Sequence, residues 1–290
     1  MMFALLGCET GAKPKTSSTM QTSVAEIMSW PAERSDAVIQ YGTAKAQVAE
    51  LRLPSTPGRH PVVVVIHGGC WQAQFDRTHA SKMSVALVKA GFAVWTIEYR
   101  KLGEPGGGWP GTFRDVGDAI EALQGQAEKH ALDLSNVVLV GHSAGAQLAL
   151  WYAGSKKLPG SSPLHRGSPL EIRGIVSLAG MTDLGSPDTG CGDSGAELVG
   201  GKERLAERAP QASPIAMLPL GVRQRLVHGV DDHIVPIALG RAYLQAARAA
   251  GDDVQLKELP GLGHFDVINP QSKAWASVIA AVRELSQQPK

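Results

Sequence analysis

The chain has 290 residues, 43% hydrophobic and 19% charged, with a formal net charge of +1. That length buries a large core, and an α/β fold of this size is often one domain. The near-neutral balance, without any Lys/Arg block, gives no electrostatic reason to expect nucleic acid or an anionic surface as a partner.

The chain opens with "MMFALLGCETGAKPKTSSTMQTS", an apolar start that reaches Leu5-Leu6-Gly7-Cys8 and then turns polar. Leu-x-Gly-Cys resembles a bacterial lipobox, which implies an acylated Cys8 and a cell-envelope or periplasmic lipoprotein. The apolar stretch before Gly7 is short for a signal peptide, so a complete leader needs residues upstream of Met1. The alternative is an unmodified N-terminus on a cytoplasmic protein. On either reading residues 1–30 are a flexible tail, a tether if Cys8 is acylated. No later apolar run reaches transmembrane length.

"AVIQYG" (Ala37–Gly42) and "AQVAELRLP" (Ala46–Pro54) are short alternating runs that suit an antiparallel hairpin at a sheet edge. "VVVVI" (Val62–Ile66) is the continuous β-branched run of a strand buried on both faces. A helix follows over His79–Gly91, then a strand over Phe92–Tyr99. "KLGEPGGGWPG" is a Gly/Pro loop. Thr112–His130 reads as a helix, with Thr112 and Asp115 placed as in a capping box. The alternation continues with a strand at Asn136–Val140, a helix at Ala144–Ala153 and a strand at Ile172–Gly180. Gly185–Ser213 reads as irregular, with one helical piece near Glu203–Arg208, and residues 184–213 form a small cap or loop insertion. Arg223–Gly229 (strand), Ala238–Gly251 (helix), Val254–Pro260 (strand) and Ser272–Gln287 (helix) complete the chain. Alternating strands and helices predict a mostly parallel sheet covered on both faces, as one α/β domain over residues 31–290. Its site belongs at the carboxyl ends of the strands.

Gly141-His142-Ser143-Ala144-Gly145 matches G-x-S-x-G between a strand and a helix, the setting of a nucleophile elbow. A Ser capping the helix would give the same pattern without chemistry. A nucleophile also needs a base and an acid, in the order Ser, acid, His for this topology. His165, His228, His233 and His264 follow Ser143. His264 in "PGLGHFD" occupies a late Gly-rich loop and is the candidate base; His228 and His233, which flank the acid, read as structural. "LVHGVDDHIVP" supplies the acid. The spacing Gly229-x-x-Asp232-x-x-Val235-Pro236 favours Asp232, with Asp183 in "AGMTDL" as competitor. "VVVVIHGGCW" supplies an oxyanion loop, with the backbone N–H groups of Gly68 and Gly69, joined by that of Ala144. His67 is expected to fix this loop by a hydrogen bond. Cys70, Trp71, Trp109 and Phe265 are candidates for the substrate pocket, although isolated loop aromatics are as often packing residues. Two readings stand for Cys70 and Cys191: buried free thiols, the default for such residues, or a disulfide in an oxidising compartment.

On "HGGCW", "GHSAGAQLA", "HGVDDHIVP" and "GLGHF", the chain resembles the α/β-hydrolase superfamily, nearest the feruloyl/acetyl-esterase type of serine esterase and kynurenine-formamidase-like enzymes. The resemblance covers about Ala37 to Ser286. It departs at Cys70, where relatives usually carry Gly or Tyr, and at Gln147, where they often carry His. It implies a serine hydrolase of small carboxylic esters acting through an acyl-enzyme on Ser143, His264 and Asp232, without metal or organic cofactor. Formamide hydrolysis is the alternative chemistry, and a non-catalytic binding protein on a hydrolase scaffold the alternative class.

Overall fold

A computed structural model describes residues 21–187 and 190–287. Cys8 and its acylation lie outside them. Eight strands form one sheet: β1 (Ala37–Gln40), β2 (Val48–Arg52), β3 (His60–Ile66), β4 (Ala93–Ile97), β5 (Leu132–His142), β6 (Gly174–Leu178), β7 (Arg223–Gly229) and β8 (Val254–Leu259). Their order is β1-β2-β4-β3-β5-β6-β7-β8. The first two form the expected edge hairpin, antiparallel to each other and to β4. β3 to β8 run parallel. This is the α/β-hydrolase fold.

The helices are α1 (Val24–Met28), α2 (Ser81–Lys89), α3 (Gly111–Glu121), α4 (Ala144–Gly154), α5 (Ser194–Leu198), α6 (Lys202–Ala212), α7 (Ile237–Ala249) and α8 (Trp275–Ser286). Among the described residues, no helix is long and apolar enough to cross a membrane. The period-2 geometry of a strand sends successive side chains to opposite faces, so the run "VVVVI" feeds two cores at once. Val62, Val64 and Ile66 join Trp95, Phe113, Leu148 and Trp151 on one face. Val63 and Val65 join Met83, Leu87, Val278 and Leu285 on the other.

Three expectations change. Residues 21–30 are packed rather than tail: Ile27 and Trp30 are buried in the second core. The capping box at Thr112 does not form, because α3 begins at Gly111 and Thr112 already lies inside it. Thr112 Oγ1 instead bonds the Arg100 carbonyl and the Gly108 N–H, while the Asp115 carboxylate takes a two-pronged contact from Arg100. The 185–213 segment holds two helices, α5 and the 11-residue α6, rather than one short piece. The expected piece at Glu203–Arg208 lies within α6, which continues through Pro210 to Ala212.

Candidate active site

Ser143 joins β5 to α4 with φ 54° and ψ −118°, a left-handed conformation that non-glycine residues rarely adopt. Such a turn needs close backbone approach on its helix side. A Cβ on Gly145 would lie 2.2 Å from the Ile66 carbonyl oxygen, so only glycine lets α4 start against the end of β3. Ser143 is 2% exposed.

Asp232 follows β7 and His264 follows β8. His264 Nδ1 donates to Asp232 Oδ2 at 2.7 Å. The other carboxylate oxygen, Oδ1, accepts the Ile234 and Val235 N–H groups, both at 2.8 Å. His228 Nε2, which donates to the Val235 carbonyl, lies 3.2 Å from Oδ2. Burial alone would raise the Asp232 pKa; the bonds from His228 and His264 outweigh it and hold the carboxyl well below the usual range. With its proton fixed on Nδ1, His264 keeps the Nε2 lone pair, the arrangement a base requires. Asp183 makes no such contact: its Oδ1 accepts the Gly185 N–H and meets Ser213 Oγ at 3.4 Å. His165 is tied to the Leu158 carbonyl, and His233 is exposed.

The loop after β3 is braced from below. His67 donates from Nδ1 to the Gly68 carbonyl at 2.8 Å and from Nε2 to the Glu98 carboxylate at 2.9 Å. Both partners can only accept. Burial opposes the Glu98 charge, but His67 and Lys101 overcome it and bring its pKa down to about 2. At Gly69 φ is +110°, and a Cβ there would stand 2.3 Å from that of Phe75. Cys70 and Trp71 continue with φ 51° and 56°. Three successive left-handed residues turn the loop tightly over the strand end.

Ser143, His264, Gly69, Cys70 and Phe265 line one cavity of about 210 Å3. Gly68 is not among its lining residues, and Ala144 opens α4, where the first N–H groups have no helical partner. Two pocket candidates are packing residues instead. Trp71 is fully buried and donates from Nε1 to Gln147 Oε1, while Gln147 Nε2 donates to the Ala212 carbonyl. Trp109 stacks edge-on against Phe113, under the Arg208 guanidinium. The default reading of free thiols is also overturned: Cys70 and Cys191 form a disulfide with Cα atoms 5.4 Å apart. It ties the loop after β3 to the 184–213 segment, which reaches the cavity at Gly190.

A histidine chain, not anticipated from sequence, runs beneath the site. His142 Nε2 contacts the His264 carbonyl at 3.1 Å, and His142 Nδ1 contacts His79 Nε2 at 3.0 Å. A carbonyl only accepts, so His142 carries its proton on Nε2. Its Nδ1 then accepts, and His79 carries its proton on Nε2 as well. Burial, aided by the neighbouring His67 and His264, pushes the His79 pKa down to about 3, and burial aided by His264 and His79 pushes that of His142 well below the ordinary value. The same assignment leaves His79 Nδ1 as a buried acceptor without a partner.

A family model described as BD-FAE matches residues 50–246. Esterase LipQ of Mycobacterium tuberculosis is 29% identical over 224 residues, covering 73% of this chain and 52% of its own. Kynurenine formamidase of Meyerozyma guilliermondii is 30% identical over 151 residues, covering 52% of this chain and 54% of its own. The chain spans about half the length of these two relatives. A truncated carbohydrate esterase from gut microbiota shares the fold with a TM-score of 0.76 at 20% identity, covering 90% of this chain and 99% of that one. Esterase B of Lactobacillus rhamnosis, inhibited by a tributyrin phosphonate, has a TM-score of 0.75 at 20% identity, covering 90% and 91%.

Proposed function

The chain belongs to the BD-FAE family, and on that premise we propose that it is a serine hydrolase of small carboxylic esters. The observation that carries this is the 2.7 Å bond from His264 to Asp232, in a cavity that also receives Ser143 from a strained elbow. Ser143 Oγ attacks the ester carbonyl and His264 Nε2 takes its proton. The oxyanion is held by backbone N–H groups of the Gly68–Gly69–Cys70 turn and of Ala144. His264 returns the proton to the leaving alcohol, leaving an acyl-enzyme. It then takes a proton from water, which attacks the acyl carbonyl, and passes that proton to the departing Ser143 Oγ, releasing the acid and restoring the free enzyme. Asp232 holds the imidazole tautomer and stabilises the imidazolium. The names of the relatives, an esterase and a carbohydrate esterase among them, support an ester as substrate.

The kynurenine formamidase likeness favours formamide hydrolysis as a second reading. Parallel assays with p-nitrophenyl acetate and N-formylkynurenine separate the two. Turnover of the ester with the formamide untouched supports the first; the reverse result overturns it. A binding protein on this scaffold would leave Ser143 unlabelled by a fluorophosphonate. The Cys70–Cys191 bridge supports an oxidising compartment, and with it the cell-envelope placement read from Cys8.

A further inference from the structure

The cavity at Ser143 takes one of its walls from residues that precede the family-matched region. Val24, in α1, lines it together with Phe75, Ile234 and Phe265, whereas the family match begins at residue 50. The wall is not loosely placed. Thr22 donates from its backbone N–H and from Oγ1 to Asp266 Oδ1, at 3.0 and 2.8 Å, both bonds buried. Asn269 Nδ2 donates to Thr22 Oγ1 at 3.0 Å. The second Asp266 oxygen accepts the Gly263 N–H at 2.7 Å, one residue before His264. Ile27, on the inner face of α1, is 1% exposed. The N-terminal segment is thereby clamped to the loop that carries His264, and Val24 is held over the cavity while remaining 44% exposed at its mouth.

Among the described residues, the lining contains no Lys, Arg, Asp or Glu. A volume of about 210 Å3 falls below the ~300 Å3 at which pockets begin to enclose drug-sized ligands. An uncharged, short and apolar group fits both facts. Building on the esterase reading, we infer that Val24 is a specificity-determining residue that limits the length of the aliphatic chain an ester places in this cavity. Val24 is half exposed, and its side chain holds up no core, so replacing it changes the wall and leaves the fold.

The test compares Val24→Trp, Val24→Ala and the parent protein. One arm follows kcat/KM over p-nitrophenyl acetate, butanoate and hexanoate; the other follows methyl, butyl and hexyl acetate. The responsive arm identifies the acyl or the alcohol side as the occupant. In that arm Val24→Trp lowers the long-to-short ratio about tenfold, and Val24→Ala raises it a few-fold, on the scale of methylene discrimination in a hydrophobic pocket. Ratios within about twofold of the parent in both arms, for both variants, overturn the inference. The same substitutions are placed on Ser143→Ala, and the Kd values of the p-nitrophenyl and alkyl esters are measured by calorimetry. This reading needs no turnover. If the parent cleaves no ester, the esterase reading falls, and the Kd ratios decide separately whether Val24 limits chain length.

Discussion

The imidazole of His142, the residue before Ser143, donates a hydrogen bond to the backbone carbonyl of His264 at 3.1 Å. Two segments 122 residues apart in sequence are joined at the point where one carries the elbow serine and the other the candidate base. The loop of His264 follows β8, and the His142 bond is a direct tie between it and the elbow. His142 is accordingly a positioning residue. His142→Phe keeps a ring in the elbow and removes the donor. It should lower kcat about tenfold to a hundredfold with KM nearly unchanged, since a displacement of the base disturbs the reacting geometry and not substrate contact. Steady-state kinetics on p-nitrophenyl acetate provide the check; an unchanged kcat would show that the bond is incidental.

Stability should begin to fall with acid near pH 6.5, above the range in which ordinary carboxylates are protonated. His79 has its pKa pushed from 6.5 to about 3 by burial. Between these values the unfolded chain binds a proton that the folded chain refuses, so stability is complete above about pH 6.5 and declines as pH falls toward 3. One such histidine contributes up to ~1.4 kcal/mol per pH unit within the window. The depressed pKa of His142 acts in the same direction. Denaturant melts at pH 7, 6, 5 and 4 should show this slope, and His79→Phe should make it shallower by one proton.

Removing the Cys70–Cys191 bridge should destabilise the protein by about 2–4 kcal/mol, because the bond closes a long loop in the unfolded chain. Cys70 lines the cavity and Cys191 anchors the segment beside it. Cys70→Ala/Cys191→Ala should therefore also raise KM. Thermal melts and kinetics of the double variant test both effects, and a lower Tm with unchanged KM would confine the bridge to stability.

Gly69→Ala should nearly abolish activity. The new methyl would have to stand 2.3 Å from the Phe75 Cβ at a φ of +110°, which displaces the turn whose N–H groups are the proposed oxyanion donors. Loss of oxyanion donors lowers kcat by roughly 10²–10³. Kinetics beside a fluorophosphonate labelling rate check the prediction: both should fall together.

Much of this site was legible because its signals are local. The elbow, the Gly-rich turn after β3, and the Asp232 and His264 loops are each a short pattern at a strand end, and the strand–helix alternation orders them. What escaped depends on pairing across the sheet. α1 has only five residues, too few to show a helical period, so its burial and the Val24 wall gave no sequence signal. Cys70 and Cys191 are 121 residues apart, and nothing local distinguishes a bridge from two thiols. The inward turn of Trp71 follows from a left-handed backbone at a residue type that seldom adopts one. The depressed pKa of His79 comes from its burial, which no local pattern in the sequence shows. The helical piece near Glu203–Arg208 lies within α6, whereas the five-residue α5 is too short to show a helical period.

The most direct test of the account is the intact-protein mass and turnover of Ser143→Ala beside the parent. The parent should take up one acyl or phosphonyl group on Ser143, and the variant none. The kcat of Ser143→Ala on p-nitrophenyl acetate should fall by about 10⁴-fold or more. Retention of turnover within about tenfold of the parent, or an adduct on a residue other than Ser143, would contradict it.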